Sequence, residues 1–330
     1  MQYLTIPGTD LCVSRISLGT WAIGGWMWGG TEERESIETI HAALNKGVNL
    51  IDTAPVYGFG ASEQIVGKAV EEYGKRGELF LSTKAALEWK DGRVFRNGSR
   101  DRVMREIEDS LKRLRTDYID IYFVHWPDLT RPIAETAKAM RDLYEQGVIK
   151  AVGVSNFTQD QMEAFRSESP LHVCQPPYNI FERGIESDIK PYCERNSITL
   201  MAYGALCRGL LSGKVSKERK FEGDDLRKVD PKFKEPRLSQ YLKAADKLQK
   251  LAGKRFNKSL VAFAVRWVFE KGAPIAIWGG RTPSQMAPID EIVGWSMDLA
   301  TLSTVDSILA EFVKAPVGAE FMAPPTGLTG

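Results

Sequence analysis

Eight short apolar runs, spread over the chain and separated by stretches of helical period, place this sequence in the α/β class. The runs are Arg15–Leu18, Val48–Ile51, Leu79–Leu81, Tyr118–Val124, Ile149–Val154, His172–Gln175, Ile198–Ala202 and Pro274–Trp278. Between them, Ile37, Ile40 and Leu44, then Val103, Ile107, Leu111 and Leu114, recur three or four residues apart, as one apolar face of a helix requires. Counting elements does not separate an open doubly wound sheet from a closed barrel.

The residues that follow each run do separate them. They are Gly19-Thr20-Trp21, Asp52-Thr53-Ala54, Ser82-Thr83-Lys84, His125-Trp126, Ser155-Asn156-Phe157, Gln175-Pro176, Tyr203-Gly204 and Gly279-Gly280-Arg281, so every strand ends in polar or aromatic side chains. Functional groups at the ends of so many strands share one site only if those ends ring one mouth. The expected fold is a (β/α)8 TIM barrel, one domain over residues 1–330. An N-terminal β-hairpin (Tyr3–Ile6, a Pro7-Gly8 turn, Leu11–Val13) precedes the barrel, and a long loop from Gly204 to about Pro236 follows strand 7. That loop is rich in Gly, Lys, Arg and Asp, and its length predicts a mobile functional segment.

Several classes drop out. With 44 Lys plus Arg against 43 Asp plus Glu, mixed along the chain, nothing suggests a nucleic-acid or membrane partner. The first residues, Met1-Gln2-Tyr3-Leu4-Thr5-Ile6-Pro7, lack the basic and apolar regions of a secretion signal, and a cytoplasmic location is the default expectation. Cys12, Cys174, Cys193 and Cys207 are far apart and form no Cys-x-x-Cys pair, so they signal neither a zinc site nor a disulfide framework. No Gly-x-Gly-x-x-Gly follows the first strand, and Gly209-Leu210-Leu211-Ser212-Gly213-Lys214 lacks the spacing of a phosphate loop.

Asp52 ends one buried strand, Tyr57 lies five residues later, and Lys84 and His125 end the next two strands. This ordered set, with Gly60-Ala61-Ser62-Glu63 and Gly153-Val154-Ser155-Asn156-Phe157, resembles the aldo-keto reductase superfamily over essentially the whole chain. Phe221-Glu222-Gly223-Asp224-Asp225-Leu226-Arg227 and the stretch from Pro316 to Pro325 are similar to a bacterial subgroup that includes general-stress aldehyde reductases. The resemblance implies that Tyr57 is the acid in reduction and the base in oxidation, tuned by Lys84 and Asp52.

The four residues also make chemical sense together. Carbonyl reduction needs hydride at carbon and a proton at oxygen, and a free tyrosine of pKa about 10 is a sluggish acid at neutral pH. An ammonium about 4 Å away contributes about 4 kcal/mol at an effective dielectric of about 20, lowering the phenol pKa by roughly three. Asp52 would keep Lys84 charged and fixed, and His125 would stabilise the developing alkoxide.

The remaining strand ends match the family's nicotinamide site. Ser155, Asn156 and Gln175 supply partners for a carboxamide, and Tyr203 offers a ring for stacking. Gly19, Thr20, Trp21, Asp52, Gly204, Ala205, Leu206, Cys207 and Arg208 complete the expected cofactor contacts, with Lys214 and Arg227 in the long loop placed to close over a pyrophosphate. Gly280, Arg281, Thr282 and Gln285 combine backbone access, a guanidinium and a helix start suited to a phosphate. The resemblance implies the 2′-phosphate of NADPH, favoured over NADH. The family's usual Glu-Asn after this glutamine is replaced by Met286-Ala287-Pro288-Ile289. Trp21, Trp28, Trp89 and Trp126 would wall a compact substrate pocket.

The expected activity is NADPH-dependent, reversible reduction of small aldehydes, hydroxyaldehydes such as glyceraldehyde among them. A cofactor-binding redox sensor resembling channel β subunits would instead turn over very slowly and bind a membrane partner. A Schiff-base aldolase acting through Lys84 would trap substrate on borohydride treatment. Oligomeric state is not encoded in any motif.

Overall fold

The computed structural model describes residues 1–327; the last three residues of the expected 1–330 span lie outside them. In chain order the strands are β1 (Tyr3–Thr5), β2 (Cys12–Ser14), β3 (Ile16–Gly19), β4 (Leu50–Asp52), β5 (Phe80–Ala85), β6 (Leu87–Lys90), β7 (Arg93–Arg96), β8 (Ile119–Val124), β9 (Ile149–Ser155), β10 (Val173–Gln175), β11 (Thr199–Ala202) and β12 (Ile275–Gly279). Eight of them close a parallel barrel in the order β10-β11-β12-β3-β4-β5-β8-β9. All eight predicted runs are these strands. Helices α1 (Glu33–Leu44), α2 (Ala61–Tyr73), α3 (Arg100–Leu114), α4 (Ile133–Glu145), α5 (Gln159–Arg166), α6 (Ile189–Arg195), α7 (Arg237–Phe256), α8 (Leu260–Glu270) and α9 (Leu299–Phe312) accompany them.

The apolar residues divide by face. Leu50, Ile121, Phe123, Ala151, Val173, Met201, Ile275 and Ile277 fill the barrel interior, joined by Ile6, Leu11 and Val13. The β1–β2 hairpin therefore stops the N-terminal end of the barrel with apolar side chains. Gly153 makes room inside, since a Cβ there would lie 2.4 Å from the Phe123 ring. Residues of the opposite faces, Leu18, Ile51, Leu81, Tyr122 and Val154, pack outward among Ile40, Val66, Ile107 and Met140 of α1 to α4. The helices start where polar caps allow: Ser99 accepts from the Arg102 amide at α3, and Thr158 and Gln161 form a reciprocal capping box at α5.

Two parts of the architecture differ from expectation. β6 and β7 form an antiparallel hairpin that stands on the C-terminal side of β5. Its turn, Asp91-Gly92, has both residues at positive φ (50° and 75°), as a tight two-residue connection demands. The long loop is also docked, not loose. Asp224 accepts from the amides of Met27 (2.7 Å) and Gly29 (3.2 Å), the Leu226 amide donates to the Met27 carbonyl, and three short 3₁₀ turns shape the segment. Asp224, one of the charged residues of this loop, is what fastens it. Among the described residues no helix is long and apolar enough to cross a membrane.

Candidate active site

Strand alternation places Ser82 and Lys84 on the same, inward face of β5, opposite Asp52 at the end of β4. Lys84 Nζ donates to Asp52 Oδ2 (2.7 Å) and to the Thr53 carbonyl (2.8 Å) and lies 3.3 Å from the Tyr57 hydroxyl. Asp52 Oδ1 accepts from Ser82 Oγ (2.8 Å) and Gln175 Nε2 (2.9 Å). The Asp52–Lys84 pair is dry, with residue exposures of 3% and 1%. His125, one residue beyond β8, meets the Tyr57 ring edge-on at 5.8 Å. All four sequence-predicted side chains thus gather at the C-terminal mouth of the barrel.

Tyr57 is set there by a loop that tolerates no bulk. A Cβ on Gly24 would lie 2.6 Å from the Tyr57 backbone carbonyl, and one on Gly58, whose φ is +67°, would lie 2.1 Å from the Gly24 carbonyl oxygen. Ser62 Oγ contacts Thr20 Oγ1 (2.8 Å) and Thr53 Oγ1 (3.0 Å), tying the start of α2 to the strand ends.

Electrostatics refine the expected acid. Burial, and then the Asp52 carboxylate, push the Tyr57 phenol well above its ordinary value. The net direction is upward, so the lowering inferred from a lysine at about 4 Å does not hold in the dry site. Burial also lowers Lys84, while Asp52 opposes that shift. Burial and Lys84 hold His125 well below 6.5, and burial lowers His172 as well. Tyr57 is therefore a phenol and His125 a neutral imidazole at pH 7.

Unfolding frees both histidines to take up protons near 6.5, so the unfolded chain binds more protons just below that pH. Their contribution to stability is complete above about 6.5 and is lost as pH falls toward the folded values. Thermal melting followed from pH 7.5 to 5.5 should show a falling midpoint, with a smaller fall in His125→Gln. An unchanged slope in that variant would contradict the buried neutral imidazole.

The neighbouring strand ends interlock. Asn156, at φ 62°, donates to the His125 carbonyl and to Ser155 Oγ, both at 3.0 Å, and its Oδ1 accepts from the Tyr203 hydroxyl at 2.9 Å. Ser155 Oγ donates to the Gln175 carbonyl at 2.8 Å. The mouth therefore holds a fixed array of amides and hydroxyls around the Asp52–Lys84–Tyr57 chain.

A model of the Aldo/keto reductase family matches residues 15–309. The chain belongs to the aldo-keto reductase family. This aldo-keto reductase is an oxidoreductase acting on carbonyl or alcohol groups. It is 55% identical over 327 residues to the aldo-keto reductase YhdN of Bacillus subtilis, covering 99% of each chain. With the NADH-specific methylglyoxal reductase of Escherichia coli it shares 33% identity over 302 residues, 87% of this chain and 91% of the relative. The solved glycerol dehydrogenase AKR11B4 of Gluconobacter oxydans superimposes with a TM-score of 0.88 at 50% identity, covering 97% of this chain and 99% of that one.

In this aldo-keto reductase the four tryptophans expected to wall the pocket sit in two groups. Trp21 stacks on Tyr57 at 5.8 Å and meets Trp28 edge-on at 5.6 Å. The indole N–H groups of both are buried without an acceptor among the described residues. Trp89, on β6, packs at 5.6 Å against Phe59, which in turn meets Trp26 at 5.1 Å, and Trp126 lies with Ala54, Val56 and Leu87. Trp26 and Phe59 were absent from the sequence-derived pocket.

The other expected cofactor residues divide by side chain and backbone. Gly19 pairs with β12 and β4, and Thr20 Oγ1 donates to the Asp52 carbonyl. Gly204 has φ +70°, Ala205 and Cys207 are fully buried, and Leu206 is half-buried. The Arg208 guanidinium pairs with Glu182 and Asp230. Lys214 is exposed, and Arg227 is engaged by Asp225 and lies 4.2 Å over the Phe221 ring.

Arg281 donates to the Trp28 carbonyl at 2.8 Å, and its amide donates to Gln285 Oε1 at 2.7 Å. Residues Pro283–Glu291 form a 3₁₀ segment with Pro288 inside it, where an ordinary helix start was expected. Met286 is fully buried, and a Cβ on Gly280 would meet its Cε at 2.3 Å. Met286 thus serves the core, and the stretch that stands where the family has Glu-Asn belongs to this 3₁₀ segment.

A groove of about 780 Å³ opens beside the mouth. Trp126, Asn156 and Tyr203 form its inner end, Phe181 lines its length, and Gly318 and Glu320 of the C-terminal segment roof it.

Proposed function

We propose that this chain reduces small aldehydes, hydroxyaldehydes among them, to alcohols with NADPH, and that Tyr57 delivers the proton. The observation that carries this reading is the buried chain Asp52–Lys84–Tyr57 with the His125 ring beside it. A carbonyl oxygen seated between Tyr57 and His125 receives the phenolic proton, so a phenolate forms as the alcohol forms. Lys84, 3.3 Å away, is placed to stabilise that phenolate. The raised phenol in the resting site suits this direction, because the donor starts fully protonated. His125, neutral, donates N–H to the same oxygen as charge builds on it.

The residues present fit a nicotinamide dinucleotide. Trp21 and Trp28 leave two buried indole donors without protein acceptors, a costly arrangement that a polar ligand would relieve. Ser155, Asn156 and Gln175 would hold the carboxamide, Tyr203 would stack under the ring, and the Gly204–Arg208 backbone with Lys214, Arg227, Gly280, Arg281, Thr282 and Gln285 would hold the phosphates. When bound, the nicotinamide supplies the hydride to the carbonyl carbon. We also read the chain as one domain, since the hairpin stops the barrel floor and the C-terminal segment crosses its mouth.

A small oxygenated substrate is favoured by the aromatic pocket of Trp21, Trp28 and Trp126. The names of two relatives, a glycerol dehydrogenase and a methylglyoxal reductase, point the same way. The latter is called NADH-specific, so the NADPH preference rests on Arg281. Arg281→Met should raise the KM for NADPH by about tenfold and leave that for NADH within about twofold, the size of one partly exposed charge-assisted contact. Equal effects on both cofactors would remove Arg281 as the selector. A panel of aldehydes and alcohols with each cofactor, followed by nicotinamide absorbance, tests the reading itself, and no cofactor consumption with any member would sink it.

A further inference from the structure

Lys232 is a lysine with 0% exposure that the proposed chemistry does not use. It belongs to a cluster of four buried charges. Glu182 Oε1 accepts from Lys232 Nζ (2.8 Å) and from Arg208 Nη2 (2.5 Å), Glu182 Oε2 accepts from Asn179 (2.6 Å), and Arg208 Nε reaches Asp230 (2.5 Å). Such clusters are expensive to bury and are weak evidence for stability on their own. One bond leaves the cluster for a distant part of the chain: Lys232 Nζ donates to the Gly318 carbonyl at 2.7 Å.

Gly318 lies in the C-terminal segment that lines the groove, and a second cation holds the far end of that segment. Arg96, on the β6–β7 hairpin, donates through its amide to the Pro325 carbonyl (2.9 Å) and through Nε to the Pro324 carbonyl (2.8 Å). Its Nη1 reaches the Pro127 carbonyl at 3.0 Å, and its guanidinium lies 5.0 Å over the Trp126 ring. Between the anchors, Ala319 is buried, Glu320 lines the groove that Trp126, Asn156 and Tyr203 share, and Phe321 lies 5.5 Å from the Arg208 guanidinium. The two anchors share no hydrogen-bond partner other than this segment.

We propose that Lys232 and Arg96 are positioning residues that pin residues 318–325 across the barrel mouth, and that this pinned strap sets the affinity for the carbonyl substrate. Carbonyl oxygens are gripped at both ends, so this hold on the strap runs through its backbone. Neither anchor touches Asp52, Tyr57, Lys84 or His125, so loosening the strap widens the mouth without disturbing proton delivery. The proposal rests on the reductase reading for its kinetic part.

Lys232→Met keeps the side-chain length and leaves Glu182 paired with Arg208 and Asn179; Arg96→Met removes the guanidinium's bond to the Pro324 carbonyl at the opposite end and keeps the amide bond to Pro325. Hydrogen exchange of peptides covering 316–325 should quicken in each single variant. The aldehyde KM should rise by about tenfold, the loss of one charge-assisted hydrogen bond, with kcat within about twofold. Cofactor Kd, read by quenching of tryptophan fluorescence, should be unchanged.

Because a strap released at one end no longer depends on the other, the double variant should exceed the worse single one by less than about threefold in KM, whereas independent sites would multiply. Unchanged KM alongside quickened exchange, a KM rise that tracks cofactor Kd, or multiplicative effects would each overturn the proposal. Failure of the reductase reading looks different: the unmodified protein itself would turn over no aldehyde.

Discussion

Tyr57→Phe is expected to lower kcat for aldehyde reduction by about 10² to 10⁴-fold, the usual worth of a positioned general acid, while nicotinamide cofactor binds as before. The substitution removes one oxygen and little else. The ring keeps its stack on Trp21 and its edge contact with His125, and Lys84 keeps two of its three acceptors, Asp52 and the Thr53 carbonyl. Stopped-flow or steady-state turnover with a fluorescence titration of the cofactor separates the two effects. Turnover close to that of the unmodified protein would mean that another group protonates the alkoxide, and Tyr57 would revert to a packing residue.

Lys84→Met should cost both activity and stability. Without the ammonium, the phenolate left by proton transfer has no cation beside it, and kcat should fall by about 10² to 10⁴-fold. The Asp52 carboxylate, 3% exposed, would keep only the Ser82 and Gln175 donors. Leaving one member of a buried ion pair uncompensated costs about 3–5 kcal/mol, measurable by urea unfolding. Adding Asp52→Asn to Lys84→Met removes the stranded charge, so it should restore most of the stability and none of the turnover. Recovery of activity in the double variant would show that the pair acts only through folding.

Much of this molecule is legible in one dimension because a barrel repeats one physical device. Eight buried runs and the polar residue after each were enough to place Asp52, Lys84 and His125 around one mouth. Tyr57 required more, since a tyrosine in a loop acquires meaning only from strands that are adjacent in space. What escaped notice had two causes. Asp91-Gly92 between alternating residues is a legible hairpin signal that the reading passed over, and with it went Arg96. Glu182, Asp230 and Lys232 were invisible for a better reason: charged residues in loops normally read as solvated, and their burial depends on Arg208 arriving from another strand end. The phenol's raised pKa likewise depends on how dry the finished pocket is, which pairwise distances between charges do not convey.

The backbone-on-backbone seat of Tyr57 bears on how this scaffold can be repurposed. Gly24 and Gly58 press together so closely that either position rejects any side chain, and Tyr57, the proposed proton donor, rides directly on that joint. A combinatorial library that randomised the loop around Tyr57 would therefore consist mostly of inactive members, whatever its diversity. The hairpin turn at Gly92 faces open space, with nothing within 4 Å of an added Cβ, although its φ of +75° favours keeping the glycine itself. Directed evolution toward other carbonyl compounds is best confined to that hairpin, leaving the glycine joint as a fixed mount for the reacting hydroxyl.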